Sequence, residues 1–431
     1  FERIKEELNL GKPLSQAIAD GFRNAYSSIL DSNATTFLSG LILLLFGTGL
    51  ILGFAVTLVI GIFTSLFAAI FISRVILELW TRNGRKIEFF SPLTKNLFKD
   101  SAFDFVSKRR LYYTISAVII GAGIVSILLK GFGLGVDFKG GRTYVVRFEK
   151  GVSTDDAREA LTASFGRAPE VKTYGNLGVE QLRITTDYLV DQTTPEADKQ
   201  AEAKLKEGLA KAGGGNTEIL SSSKVGPTIA DDMIWSSLKA VLLGILVVAA
   251  YIFVRFRKIA FVYGAIVAVT HDVLMILAVF SVFNGLLPFN LDIDQAFVGA
   301  LLTIMGYSMN DTVVVFDRVR EYLRDNRQRR ESIPAIINNA LNSTLSRTAV
   351  TGLSTMLVLI VLFIFGGETI RGFSFAMLIG VIVGTYSSLF VATPIVVDAL
   401  TREQASKGTI ADTDGAPATI ATPKGRVKPQ I

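Results

Sequence analysis

The chain has no cysteine among its 431 residues. That excludes disulfides, thiol catalysis and cysteine metal sites. It has a single histidine, His271. No metal-ligand cluster, no P-loop and no Ser–His–Asp pattern stands out, so nothing in the residues supports an enzyme. "GFGLG" (131–135) has the glycines of a dinucleotide loop. It follows an apolar span and precedes a strand, the reverse of what that fingerprint needs, and reads as a linker. No initiator methionine and no signal sequence opens the chain. It begins at Phe1 inside a charged segment, which reads as a fragment with further spans upstream. Charge is also sparse. Only 19% of residues are charged against 50% hydrophobic, and mean hydropathy is +0.45, more apolar than a soluble chain of this length. The net charge of +6 then reports membrane orientation, not a nucleic-acid partner.

What is present is a set of apolar runs near the roughly 20 residues that cross a bilayer. They predict a mainly α-helical polytopic membrane protein with eight spans: 33–51, 53–77, 111–129, 233–254, 259–282, 295–316, 345–366 and 371–396. The first two join by a short turn near Gly53. Ahead of them, Leu14, Ile18, Phe22, Tyr26 and Ile29 form an amphipathic stripe, so residues 1–32 read as a cytoplasmic helix at the membrane interface. Residues 82–110 carry eight Lys and Arg, 255–258 three and 317–344 six, while "NGLLPFNLDID" carries none. The alternation puts both chain ends in the cytoplasm and residues 130–232 outside. Domains follow: 33–80 the first span pair, 81–110 a basic cytoplasmic linker, 111–129 one span, 130–232 an external domain, 233–402 a five-span bundle and 403–431 a polar, disordered tail.

The external domain reads βαββαβ. Strands are expected at 143–148, 170–174, 181–186 and 217–224, and helices at 153–165 and 196–212. "STDD" opens the first helix as a capping box and "GGG" closes the second. The order suggests a small α+β ferredoxin-like sandwich.

An internal repeat runs through the membrane part. "FERIKEEL" (1–8) matches "FDRVREYL" (316–323), "SILDSNATT" (28–36) matches "STLSRTAVT" (343–351), and 46–71 matches 365–390. Both copies enter the membrane from the same side, a parallel repeat of the kind transporters place around a working site. The copies differ in charge. Arg347 stands where the first copy has Ser32, and Asp31 stands where the second has Ser346. Asp311 lies inside the sixth span. Intramembrane charges cost about 2.5–3.5 kcal/mol each, so they face a bundle interior and pair with one another. Asp311 and Arg347 are the leading candidates.

His271 and Asp272 sit mid-span and suit either proton exchange or a structural pair. Asn310, Asp31 and Asn33 are further candidates for a proton path. Asp31 and Asn33 read equally well as a helix cap. Arg318, Arg320 and Glu321 read as a solvated face.

"GYSMNDTVVVFDRVRE", "LSRTAVTGLSTML", "GVDFKGG" and "GVIVGTYSSLF" closely resemble SecF, and the first 80 residues resemble the C-terminal end of SecD. The order is that of the fused SecD/SecF family, in the RND transporter superfamily. The resemblance implies an inner-membrane accessory of the Sec translocase that uses the proton motive force to promote protein translocation. Implied partners are the SecYEG translocon, the translocating preprotein, other Sec accessory membrane proteins and lipid. Protons are the coupling ion, and no other cofactor or metal is implied. The family's charged transmembrane residues map onto Asp311 and Arg347. A third family carboxylate would fall before Phe1, as would the large first periplasmic domain. Two other readings use the same residues: a proton-coupled exporter of a small molecule or lipid, and a non-pumping assembly factor.

Overall fold

A computed structural model describes the chain except residues 48, 83–86, 88–102, 175–180, 193, 214, 288, 290, 326–331 and 414–431. Most of the basic linker and most of the polar tail therefore lie outside the described residues. Among the described residues, eight helical stretches are long and apolar enough to cross a membrane.

Helix α1 (Glu2–Asn9) turns at Gly11 (φ +81°) into α2 (Leu14–Phe46), which has no break. The first part of the stripe expected to lie on the membrane packs inward, while Tyr26 stays exposed. Leu14, Ile18 and Phe22 close over Ile4 and Leu8 of α1 and over Leu77. Asp31 lies in mid-helix, so it caps nothing. The bend comes at Gly47, not near Gly53. There a Cβ would collide with the Leu43 carbonyl, so glycine lets α3 (Gly49–Phe67) fold back. The second copy turns at its equivalent, Gly366, where a Cβ would likewise strike the Leu362 carbonyl, but there the backbone stays in the right-handed helical region while Gly47 is extended.

A π-helical turn (Ala68–Ile72) joins α3 to α4 (Ser73–Arg82). Helix α5 (Arg109–Lys130) then leads to the short α6 (Val136–Lys139) and the external domain. Its elements are β1 (Gly141–Phe148), α7 (Thr154–Phe165), β2 (Glu170–Tyr174), β3 (Gln181–Thr186), α8 (Pro195–Lys211) and β4 (Thr217–Val225). The strands form one antiparallel sheet ordered β2-β3-β1-β4. Ser153 accepts from the Asp156 amide as expected, and Thr194 caps α8 ahead of Pro195. Tyr144, Val146, Phe148 and Ile184 of the sheet bury against Leu161 of α7 and Leu205 and Leu209 of α8.

"GFGLG" is more than a linker. Leu134 pairs with Ile293 in a parallel bridge, the Gly135 amide donates to the Ile293 carbonyl at 2.8 Å, and the Ile293 amide donates to the Gly133 carbonyl at 2.7 Å. A side chain at Gly133 would strike Asn284, and one at Gly135 would come within 2.9 Å of Asp294. Lys172 of β2 adds an ion pair to Asp292 at 3.0 Å. The external domain is thus tied to the segment between the fifth and sixth spans.

The remaining spans are α9 (Pro227–Phe256), α10 (Ile259–Phe283), α11 (Gln295–Asp325), α12 (Ile333–Phe365) and α13 (Gly367–Ser387). A second π-helical turn (Ser388–Ala392) leads from α13 to α14 (Thr393–Thr413). Helix α14 carries the chain well past residue 402, where a disordered tail was expected. The two π turns fall at equivalent places in the repeat to within one residue. Helix α11 is the axis of the bundle: 83% of its most apolar window is buried, against 17% for α12. It touches α2, α9, α12 and α13. Small residues permit this. Gly380 and Gly384 of α13 sit against Ile304 and Ser308, and Gly306 sits against Ser39 and Thr36 of α2.

The two copies also meet at the start of α1 and the end of α11. Arg3 pairs with Glu321 at 3.4 Å and Arg318 with Glu6 at 3.2 Å, while each arginine also holds the glutamate three residues along its own helix. In the repeat Arg3 corresponds to Arg318 and Glu6 to Glu321, so the two cross-pairs are reciprocal, as a two-fold axis requires. Of the residues expected to form a solvated face, Arg318 and Glu321 make a part-exposed junction between copies, and Arg320 stays more exposed beside Asp317.

Candidate functional site

Asp311 lies in the middle of α11 and is buried. Its Oδ2 is enclosed without a hydrogen-bond partner. The charge acting on it from outside its own helix is that of Arg347, on α12. One turn before Asp311, the Tyr307 hydroxyl donates to Thr355 Oγ1 at 3.2 Å and fixes α11 against α12. Asn310 beside it is half-buried. A lone buried carboxyl facing a cation can gain or lose a proton as the cation approaches or retreats.

His271 and Asp272 belong to a second polar centre on α10, both buried. His271 Nδ1 meets Asp272 Oδ1 at 3.1 Å, and its Nε2 meets Ser116 Oγ of α5 at 2.9 Å. Ser308 Oγ of α11 donates to Asp272 Oδ2 at 2.5 Å. The line continues from Ser116 to the Tyr386 hydroxyl at 3.2 Å. Thr312 lies one turn after Ser308, and its Oγ1 meets Ser388 Oγ of the π turn at 2.7 Å. The sequence showed no Ser–His–Asp set, because Ser116 and His271 stand 155 residues apart. The fold lines them up, inside the bundle and among helices. Such polar contacts also hold helices together: Ser126 and Ser281 bond across the same helix pair, and Gly123 lets α5 rest on Ala278.

Asp31 joins neither centre. Arg255 of α9 holds it through Nε at 2.7 Å and reaches Asp317 of α11 at 3.3 Å, while the Tyr251 hydroxyl donates to Asp31 Oδ1. Asp317 also pairs with Arg320. Arg255 is the residue that sequence reasoning missed. It was counted as a topogenic loop charge, yet it bridges the two copies. Asn33 turns its amide back to the Ile29 carbonyl of its own helix. An open polar cleft of about 500 Å³ between the copies reaches Asp317 from the chain-end side, with Arg3, Asn24, Ser28 and Arg324 on its walls. Among the described residues, no group of acidic and histidine side chains is placed to hold a metal ion.

Comparison with known proteins gives this arrangement its family. The family described as "Protein export membrane protein SecD/SecF, C-terminal" matches residues 1–83 and 204–402. The chain belongs to the SecD/SecF family. The SecD/SecF GG motif falls on residues 125–152, the segment tied to Ile293. SecF of Rhodothermus marinus is 40% identical over 72% of this chain and 97% of its own length. SecDF of Bacillus subtilis is 32% identical over 92% of this chain and 54% of its own length. The crystal structure of SecDF from Thermus thermophilus, a translocon-associated membrane protein, superposes with a TM-score of 0.78 at 31% identity. It covers 93% of this chain and 52% of that one. A SecDF structure in a super-membrane-facing form gives 0.69. The chain therefore spans almost all of a SecF relative and about half of the fused SecDF relatives. It is a multi-pass membrane protein whose relatives are transport subunits.

Proposed function

We propose that the chain is the SecF part and adjoining SecD end of a Sec translocase accessory that uses the proton motive force to promote protein translocation. Asp311 is its proton carrier and Arg347 the counter-charge. The buried, unpartnered Oδ2 of Asp311 in the field of Arg347 carries this reading. Proton uptake goes with separation of the pair and release with its closure. Each proton crossing supplies about 2.3 kcal/mol per 100 mV, enough to rock one copy of the repeat against the other. The external domain, through its tie at Leu134 and Ile293, moves with the bundle. Its βαββαβ order and antiparallel β2-β3-β1-β4 sheet support a ferredoxin-like fold. The loop charges support the inner membrane with residues 130–232 periplasmic and both ends cytoplasmic. Partners on this reading are SecYEG and the preprotein.

The test uses the full-length fused protein in sealed vesicles with the translocon. Asp311→Asn keeps shape and removes the titratable group. It should abolish proton-driven export while leaving insertion intact. Arg347→Lys should impair export less than Arg347→Ala. The double mutant should be no worse than either single one, since the residues act as one unit. Proton flux and export that survive Asp311→Asn reject the reading. Flux of a small-molecule tracer in place of polypeptide points to an exporter instead.

A further inference from the structure

Hydrogen-bond direction fixes the proton content of the His271 centre. The Tyr386 hydroxyl has one hydrogen, and it goes to the Tyr112 carbonyl at 2.9 Å, which can only accept. The contact between Ser116 Oγ and the Tyr386 oxygen at 3.2 Å must then use the hydrogen of Ser116. Ser116 has no second hydrogen, so at its 2.9 Å contact with His271 Nε2 it accepts. Nε2 therefore carries hydrogen. A neutral imidazole with Nε2–H has a bare Nδ1. Asp272 Oδ1, 3.1 Å from Nδ1, would face it without any hydrogen between them unless one more proton is present. That proton sits either on Nδ1, giving imidazolium and carboxylate, or on Asp272, giving imidazole and carboxylic acid. Either way the pair as a whole is neutral. Without the proton it would carry one negative charge in a site where His271 is 7% and Asp272 1% exposed. An unpaired charge buried there is costly.

We propose that the His271–Asp272 pair is a second proton-binding site of the bundle, holding one proton in this conformation, with Tyr386 and Ser116 as positioning residues that set it. On release the Nε2 proton passes to a water molecule admitted by a shift of the helices. Ser116 then turns its hydrogen from the Tyr386 oxygen to the bared Nε2, and Nδ1–H donates to the carboxylate. On the other side, Ser308 donates to Asp272 Oδ2 and sits three residues before Asp311 on α11, so a shift of α11 disturbs both sites together. The π turn adds a reason for motion there. Ser388, in that turn, bonds Thr312 of α11, and π turns concentrate at working sites.

Among the described residues, the surroundings supply no other charge to the pair. Helix α5 offers Tyr112 and Ser116, α11 offers Ser308, and the end of α13 offers Tyr386 and Ser387. On α9, Arg255 is held by Asp31 and Asp317, and on α14, Asp398 pairs with Arg109 of α5 at 3.0 Å. The transport consequence rests on the reading of the preceding subsection, while the proton count does not.

His271 is the only histidine, so ¹⁵N-histidine labelling of the full chain without a histidine tag reports this site alone. Near neutral pH the wild type should show hydrogen on Nε2. Tyr386→Phe frees Ser116 to donate to His271, so Nε2 should lose its hydrogen at the same pH. A bare Nε2 in the wild type, or an Nε2 unchanged by Tyr386→Phe, overturns the proposal. Neither result depends on export. In vesicles, His271→Gln and Tyr386→Phe should each lower proton flux several-fold with the protein still inserted. Unchanged flux in both reduces the pair to a structural contact and overturns its role in transport. If flux survives Asp311→Asn while the nitrogen signals behave as stated, the Asp311 mechanism fails and the proton count stands.

Discussion

Asp294 is a single side chain on which a joint depends. It accepts from the Phe297 amide at 2.8 Å and so starts α11, while Gly135 packs against it from the external domain. Burial pushes its carboxyl up to about 6, the Phe297 amide opposes, and the neighbouring Asp137 and Asp292 add to the rise. The folded state thus binds this proton more tightly than the unfolded chain, whose value lies near 3.9. Its contribution is fully present below pH ~4 and is lost as pH climbs through about 6. At about 1.4 kcal/mol per unit the loss is at most roughly 3 kcal/mol. Amide exchange at Gly133–Gly140, corrected for intrinsic rate, should be slower at pH 5 than at pH 7.5, and Asp294→Asn should flatten the difference. Asp311 was legible in the sequence because a carboxylate interrupts an apolar run. Asp294 was not, because "LDID" reads as an ordinary loop, and the Asp137 carboxylate that meets the neighbouring Gln295 amide lies 158 residues away. Asp31 misled for the opposite reason. Its residue type suits a cap, and only the fold shows that the helix passes straight through it.

Elements with a strong periodic signal were legible. The strands of the external domain fell within two residues of expectation, because alternation, a capping serine and glycine stops agree. The spans were found, and both ends of α5 and α10 fell within two residues of expectation, but other ends were missed, since an apolar run does not mark where the helix stops. Gly47 illustrates this. Hydropathy is continuous across it, and the bend is set by contact with one carbonyl. Gly366→Ala places a methyl against Leu362 and should cost about 1–3 kcal/mol by forced backbone movement, seen as a lower melting temperature in detergent. Gly53→Ala, where nothing lies within 4 Å, should leave it unchanged. In the external domain, buried Arg142 donates to the Tyr188 and Leu189 carbonyls and to Asp198. Arg142→Ala should destabilise that domain by about 2–4 kcal/mol, with exchange protection lost first in the turn at Leu189.

At the scale of the whole molecule, reciprocity makes the contact between copies testable. Arg3→Glu should weaken the junction by about 0.5–1 kcal/mol, as exposed pairs do. Adding Glu321→Arg should restore it. Failure of the double swap to recover stability would show that the pairs are incidental. For topology, cysteines placed at Asp155 and Arg324 should label from opposite sides of sealed membranes. The two π turns carry a different consequence, one of phase. A π turn holds about one residue more than an α turn, so the helix beyond it is dialled round by about 100° relative to the helix before it. Delete Ala392 and the second copy straightens. Val396, Val397 and Leu400, now buried, would rotate away from the bundle, and Asp398 would leave Arg109. Delete Ala69 and the same rotation strikes the outward-facing Val75, Ile76 and Leu79, which have little packing here to lose. One surplus residue, kept at the same place in both copies, is a setting that the second copy cannot change alone.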